Sequence, residues 1–188
     1  MARPREFDPE VALKGATEIF WRQGFRATSL PDLLTAMGLT RGSFYKAFGD
    51  KHSVYLLSLD YYDRMVMGDV LAELEKDKGG DAWQALMPLF SAPAPDRRGC
   101  YICNAMVELG PEMPDVAQKA NAMATRLRDA IEAVLERHSK GQPDQQLRQT
   151  ADLILSLYFG NQAIGKAGGT PLEWQERLRS LLKMPARV

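Results

Sequence analysis

Apolar residues recur at helical spacing along nearly the whole chain, and no run of alternating β-branched residues predicts a strand. The fold class is therefore predicted to be all-α. The first helix is expected to begin at Pro9, because Asp8 can cap it and proline suits the first helical position. Its apolar face ends at Gly24, which gives a helix of about four turns.

The next two predicted helices are short and are separated by a tight turn. Thr28 or Ser29 can cap the first of them, and Gly38 is expected to end it. Thr40 opens the second, which runs to Phe48. Two short helices joined by a glycine-containing turn form a helix-turn-helix, whose second helix presents its N-terminal residues to base edges.

The rest of the chain is predicted to form longer helices. Asp50 caps one that runs towards Lys78, where two glycines end it. Further helices are expected over 83–90, over 100–109, from 114, over 143–166 and from 170. The segment 143–166 carries two apolar stripes, so it needs burial on two sides.

Polar side chains concentrate on one face of the third helix. Arg41, Ser43 and Lys46 lie on this face, and Tyr45 can reach a phosphate with its hydroxyl. Lys51 stands at the start of the following helix, where free backbone N–H groups also attract a phosphate. The residues expected to contact DNA are Thr28, Ser29, Thr40, Arg41, Gly42, Ser43, Tyr45, Lys46 and Lys51.

The stretch from Gly24 to Lys51 resembles the DNA-binding motif of the TetR family of transcriptional regulators. The matching positions are Thr28, Gly38, Thr40, Gly42, Tyr45, Phe48 and Lys51, and the departures are Met37, Ala47 and His52. The resemblance implies an N-terminal helix-turn-helix domain over 1–52 and a helical ligand-binding and dimerisation domain over 53–188. It also implies a homodimeric repressor whose partners are double-stranded operator DNA and a small-molecule inducer.

The same resemblance implies that the last two helices form the dimer interface. The two apolar stripes over 143–166 independently ask for two burial partners. The residues expected at this interface are Leu153, Leu157, Gly160, Ile164, Trp174, Leu178 and Leu181. A monomer with a thick core is the alternative.

Methionine and aromatic residues are abundant in the second half and suggest an apolar ligand cavity with few polar groups. Plain core packing is the competing interpretation of each of them. The predicted pocket residues are Tyr62, Met65, Trp83, Met87, Phe90, Cys100, Tyr101, Cys103, Asn104, Met123, Tyr158 and Gln162.

The two cysteines permit two interpretations. The run from Gly99 to Asn104 resembles a segment found in a branch of TetR regulators, some of which sense electrophiles or oxidants. Cys100 is expected in the first turn of a helix, next to Arg97 and Arg98, where the thiolate would be favoured. Burial as two small hydrophobic side chains is the alternative to a thiol sensor.

Composition and charge narrow the classes of function. The net charge is zero, with a mild excess of basic residues before residue 53, so bulk charge alone does not indicate DNA. No apolar stretch is long enough to span a membrane, and a cytoplasmic location is expected. A catalytic site, a metal site and a cofactor are not expected, because only two histidines occur and no carboxylate pair marks a pocket. A helical binding module without a DNA role is the main alternative from another class.

Overall fold

The computed structural model describes residues 7–76, 81–90, 98–138 and 141–168. These residues form helices and turns without a strand, which confirms the predicted all-α class. In chain order the helices are α1 Pro9–Gln23, α2 Leu30–Met37, α3 Arg41–Phe48, α4 Lys51–Tyr62, a π-helical segment Asp63–Met67, α5 Gly68–Glu75, α6 Ala82–Phe90, α7 Tyr101–Leu109, α8 Pro114–His138 and α9 Asp144–Lys166.

The predicted caps set the starts of the first four helices. Asp8 accepts a hydrogen bond from a backbone N–H of the first turn of α1, and Asp50 does the same for α4 at 2.7 Å. Ser29, one of the two candidates, caps α2 in a capping box with Asp32. Thr40 caps α3. Each cap satisfies backbone donors that the helix itself leaves unpaired, which explains why these boundaries could be predicted.

The long helix predicted from Asp50 is interrupted in its middle. After α4 the hydrogen bonding widens, and the N–H of Gly68 donates to the carbonyl of Asp63 five residues earlier. A π-helical turn inserts one extra residue, a shift too small for apolar periodicity to reveal. The end of the predicted continuation, at 77–78, lies outside the described residues. The last helix from 170, with the predicted interface residues Trp174, Leu178 and Leu181, lies outside them as well.

One continuous hydrophobic cluster joins the two halves of the described chain. Helix α1 packs on α2 and α4, and α8 packs on α7 and α9. Buried rings link these layers: Phe20 of α1 meets Tyr55 of α4 edge-on at 5.1 Å between centroids, and Tyr55 meets Tyr101 of α7 at 5.7 Å. The helix-turn-helix therefore rests on the same core as the C-terminal half.

Helix α9 buries only one of its two apolar stripes. Leu147, Ile154 and Tyr158 face inward among the buried residues. The second stripe is only partly covered in a single chain: Leu153 is 49% and Ile164 37% exposed, while Leu157 is partly buried against the core. Exposing large aliphatic side chains along one helix face is unfavourable, so this stripe is suited to a partner surface.

Candidate functional site

The outward surface of α3 carries the candidate DNA-contacting side chains. Arg41, Tyr45 and Lys46 are exposed, while Phe44 on the opposite side is fully buried and fixes the helix to the core. The Arg41 guanidinium lies 5.8 Å from the centre of the Tyr45 ring. A cation over an aromatic face is attracted to it, so this pair forms an ordered polar surface within the helix.

The first turn of α3 is held by hydroxyl groups. The Thr40 hydroxyl donates to the Ser43 hydroxyl at 3.0 Å and accepts the Ser43 backbone N–H at 3.3 Å. Between them Gly42 is exposed, and a Cβ at this position would have no heavy atom within 4 Å. The chain's own packing therefore does not require glycine at position 42.

Two of the predicted DNA-contacting side chains, those of Thr28 and Lys51, contact protein groups in this structure. Thr28 is fully buried, and its hydroxyl donates to the Gly24 carbonyl at 2.6 Å, so this side chain is not exposed for the predicted DNA contact. Ser29 is exposed at the start of α2. The Lys51 Nζ lies over the Phe25 ring, 4.3 Å from its centre, and burial lowers the pKa of Lys51.

The start of α4 is already occupied by protein groups. Asp50 accepts the Ser53 N–H, and this hydrogen bond holds the pKa of the Asp50 carboxyl below its usual range. His52 does not face outward as a phosphate ligand, because its Nε2 lies 2.6 Å from a carboxylate oxygen of Asp115 at the start of α8. The expected attraction of a phosphate to this helix start is therefore opposed by the cap.

Most predicted pocket residues lie in the core formed by α4, α6, α7, α8 and α9. Those that are buried are Tyr62, Trp83, Phe90, Cys100, Tyr101, Met123 and Tyr158, and those that are partly buried are Met87, Cys103, Asn104 and Gln162. Met65 is instead 51% exposed on the π-helical segment, and Leu57, two turns earlier on the same helix face, is exposed as well.

The surroundings of the cysteines differ from those expected of a reactive thiol. Cys100 stands at the cap position of α7 but is 2% exposed, and burial raises the pKa of its thiol. Burial also raises the pKa of Cys103. The Arg98 guanidinium lies over the Trp21 ring at 4.3 Å and pairs with Glu18 at 2.5 Å. Arg98, one of the two arginines expected to favour a thiolate, thus interacts with side chains of α1 instead.

An open cleft of about 440 Å³ lies between α4 and α8. Of the predicted pocket residues, Met123 is the one that lines it. Its walls carry ion pairs from α4 and the following segment to α8, including Asp60 with Lys119 and Asp63 with Arg126. Charged side chains therefore line this cleft beside apolar surface, and the other predicted pocket residues lie elsewhere.

Contacts between the helix-turn-helix and α7 were not predicted. The Glu108 carboxylate accepts the backbone N–H groups of Phe25 and Arg26, at 3.0 and 2.7 Å. The Arg26 side chain pairs with Glu112 at 2.6 Å. More than 80 residues separate these partners in sequence, and no local pattern marks a glutamate for such a contact.

The described ranges carry neither a membrane-spanning helix nor a cluster of metal-binding side chains. No helix in those ranges is long and apolar enough to cross a membrane. No group of three or more histidine, cysteine or acidic side chains is arranged there to hold a metal ion.

Known proteins resemble this chain in sequence. The family model for bacterial regulatory proteins of the tetR family matches residues 12–56, which span the helix-turn-helix and the start of α4. An uncharacterized HTH-type transcriptional regulator of Bacillus subtilis, YezE, is 32% identical over 137 residues, covering 70% of each chain. The HTH-type transcriptional repressor ComR of Escherichia coli is 29% identical over 178 residues, covering 89% of this chain and 84% of ComR.

The fold also matches solved structures over nearly its full length. The TetR-family regulator CifR, as a cysteine mutant complexed with a 26-base-pair operator duplex, superimposes with a TM-score of 0.75. The two chains are 24% identical, and the match covers 96% of each. A TetR-family regulator from Cytophaga hutchinsonii gives a TM-score of 0.77 at 20% identity, covering 94% of each chain. These matches support the same helical architecture.

Proposed function

Because the chain belongs to the TetR family of transcriptional regulators, a class of DNA-binding proteins, we propose that it is a homodimeric repressor released from its operator by a small molecule. The observation that carries the DNA-binding part is the surface of α3. Arg41, Tyr45 and Lys46 are exposed there on a helix whose opposite side is fixed by the buried Phe44. Such a rigid polar surface suits insertion into a major groove.

Each exposed side chain is given a separate role in this proposal. Arg41 lies in the first turn of α3 and reads base edges, since arginine forms paired hydrogen bonds with guanine. Tyr45 and Lys46 contact the phosphate backbone and fix the register of the protein on the duplex. Gly42 leaves room for the DNA next to Arg41, because nothing in the chain itself occupies that space.

The DNA-binding proposal is tested by selecting duplexes from random DNA and measuring affinity by fluorescence anisotropy. Arg41→Ala should lower affinity for the selected operator and relax base preference, at a cost of about 1–3 kcal/mol. Lys46→Ala should weaken binding to all sequences alike and make it less sensitive to salt. If Arg41→Ala leaves both affinity and base preference unchanged, α3 does not read the sequence.

The dimer is proposed on the exposed stripe of α9. Leu153 and Ile164 present aliphatic surface to solvent in the single chain, and no heavy atom lies within 4 Å of a Cβ built at Gly160. The same stripe on a second copy would bury these side chains about a two-fold axis. Two recognition helices would then sit about 34 Å apart, the spacing of successive major grooves.

The inducer is proposed to be mainly apolar and to bind among the predicted pocket residues of the C-terminal half. Their side chains offer aromatic surface with a few polar groups, such as the buried Tyr62 and Tyr158 hydroxyls. The same proposal divides the chain into a DNA-binding domain over 1–52 and a ligand-binding and dimerisation domain over 53–188. It also places the protein in the cytoplasm, where the operator lies.

Coupling between operator and inducer must be reciprocal. A thermal-shift screen of apolar metabolites, repeated with operator duplex, should find a compound whose binding weakens when DNA is present. A compound that binds equally with and without operator is not the inducer.

A further inference from the structure

Glu108 connects the C-terminal half to the turn that leads into the helix-turn-helix. It lies near the end of α7, and both oxygens of its carboxylate accept a backbone N–H from the turn between α1 and α2. The donors belong to Phe25 and Arg26, at 3.0 and 2.7 Å. Hydrogen bonds to an ionised acceptor are stronger than neutral ones, and two of them fix an orientation as well as a distance.

The turn itself is shaped to admit this carboxylate. Gly24 ends α1 with φ of +86°, a conformation that L side chains rarely adopt. A Cβ at position 24 would lie 2.7 Å from one Glu108 oxygen and 3.0 Å from the other. The close approach of Glu108 therefore requires glycine at position 24, in addition to the requirement set by φ.

The residues just before α7 also contact α1. The Trp21 indole N–H donates to the carbonyl of Gly99 at 2.8 Å, and Arg98 pairs with Glu18 of α1. Contacts just before α7 and near its end thus join this segment to the last turns of α1 and the turn that follows them. A shift or rotation of α7 would move α1 and the start of α2 with it.

Glu108 also acts on a proposed DNA-contacting side chain. Burial lowers the pKa of Lys51, and the negative charge of Glu108 offsets part of this lowering. Lys51 in turn lies over the Phe25 ring, whose backbone N–H is bound by Glu108. The carboxylate thus binds two backbone groups of the turn and also acts through its charge on Lys51 at the start of α4.

We propose that Glu108 is a positioning residue for operator recognition: it fixes the helix-turn-helix on α7 in the orientation that two recognition helices need in successive grooves. The proposal rests on the DNA-binding function proposed above. Glu108 itself contacts no DNA in this account. Loss of the Glu108 carboxylate should therefore weaken binding to the operator, which depends on the spacing of two helix-turn-helix units. Binding to random-sequence DNA, which does not depend on that spacing, should be unchanged.

The test compares full-length wild type with Glu108→Gln, which keeps the shape but offers one acceptor and one donor in place of two acceptors. Affinities are measured for the selected operator duplex and for a random-sequence duplex, over a range of salt concentrations. The matched control is Glu112→Gln, which removes the same charge one turn later from an exposed pair with Arg26. Glu108→Ala serves as the second variant.

We expect Glu108→Gln to lower operator affinity about tenfold, within the usual range of coupling between sites. Random-sequence affinity and the salt dependence of binding should match those of Glu112→Gln, because no phosphate contact is lost. Amide hydrogen exchange at Phe25 and Arg26 should accelerate in Glu108→Gln alone.

Two results would overturn the proposal. One is an operator affinity of Glu108→Gln equal to that of Glu112→Gln. The other is an equal loss on operator and random DNA together with a lower unfolding temperature, which is what a merely structural role produces. Failure of the wild type to select any operator would instead contradict the proposed function, while the exchange measurement at Phe25 and Arg26 would still test the contact.

Discussion

Gly42→Ala adds a single methyl group that should leave the stability of the fold intact and lower the affinity for DNA. A Cβ built at Gly42 has no heavy atom within 4 Å, and the residue lies within α3 at ordinary helical angles. Alanine is the better helix former, by up to about 1 kcal/mol in a helix interior. The variant should therefore unfold at the same temperature as the wild type or slightly higher.

Operator binding should respond in the opposite direction. If the first turn of α3 enters the major groove beside Arg41, the added methyl group meets DNA atoms in a closely packed interface. Overpacking of this kind costs about 1–3 kcal/mol, which is about 5- to 150-fold in affinity. Thermal unfolding measures the first effect, and fluorescence anisotropy with operator duplex measures the second.

Gly15→Ala is the matched control. The same methyl group at Gly15 would lie 1.9 Å from the backbone oxygen of Ala36, so α1 and α2 would have to separate. We expect a clear loss of stability there, by about 1–3 kcal/mol. An unchanged operator affinity of Gly42→Ala, measured in a protein as stable as the wild type, would refute the placement of this turn against DNA.

Three further predictions follow from the caps, the α9 stripe and the cysteines. Asp50→Asn keeps a cap for α4 but removes a carboxyl whose pKa is lowered on folding. The ionised carboxylate stabilises the folded chain above about pH 4, and this contribution is lost as the pH falls. Chemical unfolding between pH 3 and 6 should therefore show a weaker acid dependence in the variant. Leu153→Asp puts a charge on the exposed α9 stripe and should convert a dimer to a monomer in size-exclusion chromatography with light scattering, whereas a wild type that is already monomeric would contradict the proposed interface. Alkylation followed by mass spectrometry should modify the partly buried Cys103 before the 2%-exposed Cys100, and faster labelling of Cys100 would revive the thiol sensor.

Local chemistry determined the helix-turn-helix in advance. The cap residues Ser29, Thr40 and Asp50 act on backbone groups within three residues of themselves, so their effect is written in the sequence. Gly38 likewise ends α2 because glycine adopts the left-handed backbone there without strain, with φ of +65°. The class of fold, the starts of the first helices and the polar surface of α3 followed from such short-range rules.

Burial and long-range contacts were decided by the tertiary structure. Thr28 looked free to meet DNA, yet the turn after α1 folds its hydroxyl inward onto Gly24. Cys100 looked activated, yet burial raises the pKa of its thiol. Both outcomes depend on which surfaces pack together, and that packing joins residues far apart in the chain.

Glu108 shows the same division most clearly. In sequence it is one acidic residue near the end of a predicted helix, and nothing within four residues of it predicts a partner. In the folded chain its carboxylate accepts two backbone N–H groups from a turn more than 80 residues earlier. The sequence by itself predicted the two short helices and their turn, because capping and periodicity are local, and its resemblance to TetR regulators indicated DNA as the partner. Only the tertiary structure decided how that unit is joined to α7, because the contact exists when two distant segments have packed against one core.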